Sequence, residues 1–309
     1  MIRFSRMADY MLLGAVNGIK KDLRVGSKMQ EPDYLAAIVT RFPVLMNNMW
    51  GNAKYGGCYI HQKPYVTTKV GSKTCEAGDL LVLCRKTIEN EVRINAALFQ
   101  LKRAKRIFRQ IIPDNPTQYE LYANWPVFSL GRKFNPAMER DIEPKAVTPG
   151  AQYMFVNDLD VMYDDFDDYS CCIDYPTVFT HSIPEPTMEN RRDLSFGRFL
   201  WNFIHWQTGR PIAPFEELAY DGWSLFIWDL IVNTQSSKIS NINVGIRKKH
   251  NIDRQQGDLF HFMTTDDCIS LLPKDYFAMH ENGDEKEPPK EIVNDEGGEG
   301  AISILFIDL

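Results

Sequence analysis

The 309-residue sequence has no long apolar run, no excess of positive charge and no Cys-x-x-Cys pair. Its most apolar later segment, Trp223 to Val232, contains Asp229 and is far shorter than the roughly 20 residues a membrane helix needs. Met1 to Tyr10 carries Arg3, Arg6 and Asp9 among its apolar residues, so no secretory signal is read there. The 6 cysteines, with Cys171 and Cys172 adjacent, favour reduced thiols in a cytoplasmic protein over a disulfide framework. With 41 acidic against 35 basic residues the formal charge is −6, which excludes a general nucleic-acid coat protein. Any contact with nucleic acid must be local. The sequence also lacks a Walker loop, a G-x-G-x-x-G fingerprint, an H-E-x-x-H pair and a serine-nucleophile elbow. No internal repeat is visible. At 44% hydrophobic, the chain can bury a sizeable core, as one large domain or two.

What is present is a pair of apolar runs, Leu80 to Cys84 and Ala96 to Leu101, around a polar centre that contains Asn90. That pattern predicts an antiparallel hairpin. With the turn centred on Glu89 and Asn90, Asp79 falls opposite Gln100, and Lys102 lies just beyond. Strand side chains alternate faces, so Gln100 and Lys102 point to one side. A carboxylate, an amide oxygen and an ammonium then converge at one end of the hairpin. The bland alternative is an ordinary hairpin with a charged rim. Directly afterwards, Lys102, Arg103, Lys105, Arg106 and Arg109 crowd into one short run. This run reads either as a basic helix facing a phosphate backbone or as a solvated helix face.

Gly-Asp-Leu-Leu-Val-Leu, followed by Leu-Phe-Gln-Leu-Lys-Arg, resembles the PD-(D/E)XK nuclease superfamily, in the branch where Gln replaces the second acidic residue, as in Mrr-type restriction nucleases. The resemblance runs from about residue 30 to residue 125. It implies that Asp79 is the metal-binding aspartate and that Gln100 and Lys102 form the catalytic pair. It further implies the Leu101 carbonyl as a metal ligand, Glu76 as an auxiliary residue, and Glu31 as the carboxylate of the preceding helix. Glu31 also reads as a simple N-terminal helix charge. Gln118 resembles the glutamine that points back to the site from the following helix, and it is grouped with Arg103, Lys105, Arg106 and Arg109 as nucleic-acid-binding. No clear Pro-Asp dipeptide precedes the first strand, which departs from the family pattern.

The fold implied is α/β, a restriction-endonuclease-like mixed sheet flanked by helices, followed by an α+β C-terminal region. The activity implied is Mg²⁺-dependent (or Mn²⁺-dependent) endonucleolytic cleavage of DNA, with RNA left open, in a restriction or anti-phage defence setting. A homo-oligomer or a partner defence protein fits that setting, and a membrane does not. Two other readings stand beside it: a nucleic-acid-binding module that kept the fold without catalysis, and a structural or regulatory protein.

The rest of the chain divides at about residue 135 into a nuclease-like domain, 1–135, and a C-terminal region, 136–309. Helices are expected over Met7 to Ile19, over Glu31 to Met49 with a kink or break at Pro43, and after Pro116, where Gln118 and Tyr122 share a face. Gly56 to Val66 reads as a strand beside the Asp79 strand. Asn157 to Asp168 is strongly acidic, either a solvated loop or a competitor for the basic run. Ser195 to Gln207 and Phe215 to Val232 read as buried helices, Leu259 to Phe262 and Ile302 to Leu309 as strands, and Glu281 to Glu299 as a polar loop.

Overall fold

The structure is a computed structural model that describes residues 2–23, 29–50, 53–59, 64–69, 72–104, 116–131, 138–145, 150–157, 178–182, 195–236 and 301–309. Its centre is the expected hairpin, β4 (Leu80–Ile88) and β5 (Glu91–Ala104), in a register that pairs Leu80 with Phe99 and Ile88 with Glu91. Glu89 and Asn90 both have positive φ, 51° and 69°. A two-residue turn with both residues left-handed matches the twist of the strands it joins. Asn tolerates that conformation, and Glu89 adopts it at some cost. Leu81 and Leu83 face one core, while Leu80, Val82 and Cys84 face another. A strand covered on both faces reads as an unbroken apolar run, which is why β4 shows no alternation.

Around the hairpin the main sheet adds β1 (Lys54–Cys58), β8 (Ala151–Asn157), β9 (Val178–Ser182), β10 (Arg210–Ile212) and β11 (Ser303–Asp308). Its order is β1-β11-β4-β5-β8-β9, with β10 also pairing β5. The sheet is mixed: β11 runs parallel to β4 and β8 parallel to β5, and the other pairings are antiparallel.

One face is covered by α1 (Ile2–Asp22), α2 (Glu31–Ala36), a π-helical turn (Ala37–Arg41), α3 (Phe42–Met49) and α5 (Phe196–Ile204). The opposite face carries α4 (Pro116–Asn124), α6 (Gly222–Ser236) and a small second sheet. That sheet has the order β3-β2-β6-β7, from β2 (Tyr65–Thr68), β3 (Thr74–Glu76), β6 (Phe128–Leu130) and β7 (Glu139–Arg140). The molecule is thus a mixed α/β fold built on a mixed sheet. No described helix is long and apolar enough to cross a membrane.

Several expectations need correction. Beyond residue 135, β8, β9, β10 and β11 extend the same main sheet. β11 is a central strand: it sits between β1 and β4, and Arg85 holds its end by a two-bond fork to Asp308. Gly56 to Val66 is not one strand, since β1 and β2 belong to different sheets. α1 starts earlier than expected because Phe4 continues the buried stripe of Ala8, Leu12, Ala15 and Ile19 one turn towards the N-terminus. Phe215 to Val232 is broken: a 3₁₀ turn covers Glu216–Leu218, and α6 begins at Gly222.

The Pro43 break takes the form of the π-helical turn just upstream. Pro43 has no N–H to offer the carbonyl of Val39, so the regular ladder cannot continue there. That carbonyl packs against β1, where a Cβ on Gly57 would lie 1.8 Å from the Val39 oxygen. Only glycine fits. On the outer edge of β1, the Asn47 side chain both donates to the Tyr55 carbonyl (2.8 Å) and accepts from the Tyr55 N–H (2.7 Å). An amide side chain thereby occupies part of the edge that another strand would otherwise take.

Candidate active site

The site forms where β5 outruns β4. The Asp79 N–H donates to the Phe99 carbonyl at 2.8 Å, directly below the Leu80–Phe99 pair, while β5 runs on to Ala104. Residues 101 and 103 therefore present backbone groups on an edge with no neighbouring strand among the described residues. Two carboxylates take the N–H groups: Asp79 Oδ2 accepts from Leu101 at 2.8 Å, and Glu31 Oε1 accepts from Arg103 at 2.7 Å. The two capped amides are roughly 6.5–7 Å apart along the strand. Because a strand residue sends its N–H and C=O to the same edge, the Leu101 carbonyl also leaves on this side.

Local sequence explains how each carboxylate arrives. Glu31 opens α2, whose start is set by a reciprocal cap between Gln30 and Asp33, with Asp33 Oδ2 accepting from the Gln30 N–H at 2.7 Å. Asp79 follows a turn pinned by α4, where the Tyr122 hydroxyl donates to the Ala77 carbonyl at 2.6 Å. Between them, Gly78 allows the close approach: a Cβ there would lie 2.7 Å from Leu98 Cδ1 and 3.1 Å from the Tyr122 oxygen. The Tyr122 phenol stays protonated, with its pKa pushed well up by burial and further by Tyr153, Asp79, Cys75 and Glu76. Burial likewise pushes the Cys75 thiol up to about 11, helped by Glu76 and Glu120.

Gln100 is opposite Asp79, as the hairpin register requires, and only 1% exposed. Its Nε2 donates to Asp79 Oδ2 and its Oε1 accepts from Gln118 Nε2. Gln118, on α4, is also 1% exposed and donates to the Glu76 carbonyl at 3.1 Å. Lys102 lies two residues along β5 on the Gln100 side, half-buried, and its ammonium makes no hydrogen bond or ion pair among the described residues. Tyr153 pairs with Gln100 across β5 and β8. Nothing in the local sequence pointed to Tyr153, because a parallel pairing is fixed by a distant crossover.

The structure thus brings Asp79, Gln100 and Gln118 into contact and sets Glu31 on the same strand edge. The Glu76 backbone joins through Gln118, and its half-buried side chain lies near enough to Tyr122 to act on that phenol. One expectation changes. Lys102, Arg103 and Ala104 extend β5 rather than open a basic helix, and Lys105, Arg106 and Arg109 lie outside the described residues. The Arg103 guanidinium reaches Gln30 Oε1, at 3.5 Å, on the α2 side of the sheet. Gln118, expected among the nucleic-acid-binding residues, is 1% exposed and bonded to Gln100.

The acidic segment also lies outside the described residues apart from Asn157, as do Leu259 to Phe262 and Glu281 to Glu299.

Among the described residues no three His, Cys, Asp or Glu side chains gather closely enough to hold a metal ion by themselves. The donors at this edge are carboxylate, amide and carbonyl oxygens, a hard set suited to Mg²⁺ or Mn²⁺ rather than zinc or copper. They fit such a cation on one condition: Gln100 must turn its oxygen, in place of its nitrogen, towards Asp79. No family model, curated protein or solved structure matches the chain.

Proposed function

We propose that the chain is a divalent-cation-dependent endonuclease acting on DNA, with a restriction-endonuclease-like core of the Gln-x-Lys type. The observation that carries this reading is the contact between Asp79 and Gln100 at the open end of the hairpin, with the Lys102 ammonium, which has no partner among the described residues, on the same side. The hairpin, the α4 crossover and the parallel strand β8 support it, since together they bring Gln118 back over the site.

Asp79, the Leu101 carbonyl and the Gln100 oxygen would hold Mg²⁺ or Mn²⁺, with Glu31 within the same strand edge. The cation would supply charge neutralisation on a phosphodiester and lower the pKa of a bound water. Lys102 has two tasks. Its ammonium hydrogen-bonds and orients the water that attacks phosphorus, and it offsets the negative charge that builds on the phosphoryl oxygens as one P–O bond breaks. A half-buried ammonium with no carboxylate partner among the described residues is available for both. The hydrogen bond from Tyr122 to Ala77, and the absence of a side chain at Gly78, keep the Asp79 turn in place.

A second reading has an observation of its own. The Asp79 and Glu31 carboxylates already cap backbone N–H groups, as structural residues do at a strand edge. On that reading the fold binds nucleic acid without cutting it.

Cleavage of a supercoiled plasmid in Mg²⁺ or Mn²⁺ separates the two. Lys102→Ala should lose at least about a hundredfold in rate, the scale of removing one electrostatic stabiliser, while its melting temperature stays near wild type. Asp79→Ala should lose cleavage too, with some loss of stability from the uncapped Leu101 amide. Wild-type protein that binds DNA in a salt-dependent way without cutting it, in either metal, would establish the second reading.

A further inference from the structure

We propose that Gln118 is a positioning residue that locks the Gln100 amide with its nitrogen towards Asp79, so that loading a cation requires both side chains to turn. This inference rests on the cation site proposed above and concerns how that site is controlled.

The polarity of the hydrogen-bonded chain is set from both ends. A carboxylate can only accept, so in the absence of a cation the end of Gln100 that faces Asp79 Oδ2 must be its NH₂ group. A backbone carbonyl can only accept as well, so the end of Gln118 that faces the Glu76 oxygen must also be NH₂. That same Nε2 is the group that meets Gln100 Oε1. Each nitrogen carries two hydrogens, and Gln118 uses its pair on Glu76 and Gln100. Both glutamines are 1% exposed and the bond between them is fully buried, where water cannot replace a lost partner, while their outer bonds to Asp79 and Glu76 are part-buried.

A hard cation beside Asp79 reverses the demand on Gln100. An oxygen must now face the carboxylate, which means turning the amide by half a revolution. In that orientation the Gln100 NH₂ would meet the Gln118 NH₂, which the Glu76 carbonyl holds in place. A donor–donor contact between two buried amides is not tolerated, so cation binding turns Gln118 as well and costs the Gln118–Glu76 bond. Glutamate at position 100 would escape the lock, because both of its termini are oxygens. Gln100 and Gln118 act as a pair: together they make a neutral site that resists filling until cation or substrate supplies the energy to turn it.

The test is Mn²⁺ binding to the full chain, by calorimetry, for wild type, Gln118→Met, Gln100→Glu and the double variant. Gln118→Met keeps the length of the side chain and removes its donors. It should bind Mn²⁺ about tenfold more tightly than wild type, the worth of one hydrogen bond. In the Gln100→Glu background the same change should alter affinity by less than about twofold, since the two substitutions act on one device. Equal or weaker binding by Gln118→Met, with wild type and Gln100→Glu both binding, overturns the lock and leaves the cation site standing. Absence of Mn²⁺ binding by every protein in the set overturns both.

Should Gln118→Met fail to fold, the unsubstituted protein decides the matter. The side-chain amide resonances of Gln100 and Gln118 should move together as Mg²⁺ is added. Movement of Gln100 alone overturns the proposal.

Discussion

Arg85 and Asp79 stand close together along the chain, one on β4 and one at its foot, and their charges are treated differently. Arg85 meets Asp308 in a fork, Nε to Oδ1 at 2.8 Å and Nη2 to Oδ2 at 3.2 Å, with only 10% of the Arg85 side chain and 25% of the Asp308 side chain exposed. Each charge there has its counter-charge, and the geometry uses both carboxylate oxygens. Asp79 Oδ2 instead accepts from a backbone amide and a glutamine, and the Lys102 ammonium, further along β5, has no ion-pair partner among the described residues. A closed pair fastens a strand. At Asp79 the carboxylate meets neutral donors, which cap one strand amide and fix one side chain.

The sharpest way to break this comparison is to remove the cation from each place. Arg85→Met should leave Asp308 without a partner and destabilise the protein by about 2–3 kcal/mol, somewhat below the loss for a fully buried pair because Asp308 is partly exposed. Lys102→Met should cost less than about 0.5 kcal/mol, since the ammonium has no polar partner among the described residues and Met keeps most of the apolar stem, yet cleavage should fall. Urea denaturation of both variants checks the pair. Similar stability losses would mean that Lys102 is as structural as Arg85.

A smaller effect is expected at the turn that delivers Asp79. Gly78→Ala places a methyl group against Leu98 and Tyr122, which can give way only partly. A stability loss of about 1–2 kcal/mol is the ordinary scale of such overpacking. Because Asp79 is the next residue, cleavage should drop by more than that loss of folded protein accounts for. Rates measured well below the melting temperature separate the two effects. A variant that is destabilised but cuts at the wild-type rate would show that the turn does not position Asp79.

The smallest effect concerns a third carboxylate, on the far side of the sheet. Asp9 on α1 accepts from the Gly197 N–H at the start of α5 at 2.7 Å, and burial pushes its pKa from 3.8 up to about 6 despite bonds from Ser195 and Gly197. A carboxyl group that holds its proton more tightly when folded stabilises the protein at low pH, and that stabilisation is lost as pH rises through about 4 to 6. Asp9→Asn is neutral at every pH and can still accept the Gly197 bond. Its stability should match wild type near pH 4 and exceed it by on the order of 1 kcal/mol at pH 7, after discounting for partial exposure. Melting curves across that range give the answer. A constant difference at all pH values would mean that Asp9 titrates normally.

These comparisons also separate what could be read in advance from what could not. The hairpin was legible because its information is local: two apolar runs, a turn that tolerates positive φ at Asn90, and a period of two that puts Asp79 across from Gln100. The break at Pro43 was legible for the same reason, since a missing N–H acts within one helical turn. The run Lys102 to Arg109 misled as far as Ala104, because its charges suggested a helix while β8 pairs with Leu98 to Ala104 and keeps them in the strand. The identity of Gln118 as a relevant residue came from the resemblance, yet its burial against Gln100 depends on where α4 returns over the sheet.

By itself the sequence determined the central hairpin, its register, the meeting of Asp79 with Gln100 and the placing of Lys102 on the Gln100 side, all consequences of strand geometry acting over some twenty residues. Only the tertiary structure decided that Glu31 reaches the Arg103 amide, that Gln118 bonds Gln100, and that the last strand of the chain becomes a middle strand of the sheet. Each of these joins groups far apart along the chain. Such pairings are chosen by the burial of whole faces and by which strand edge is left open, quantities that no short stretch of sequence contains.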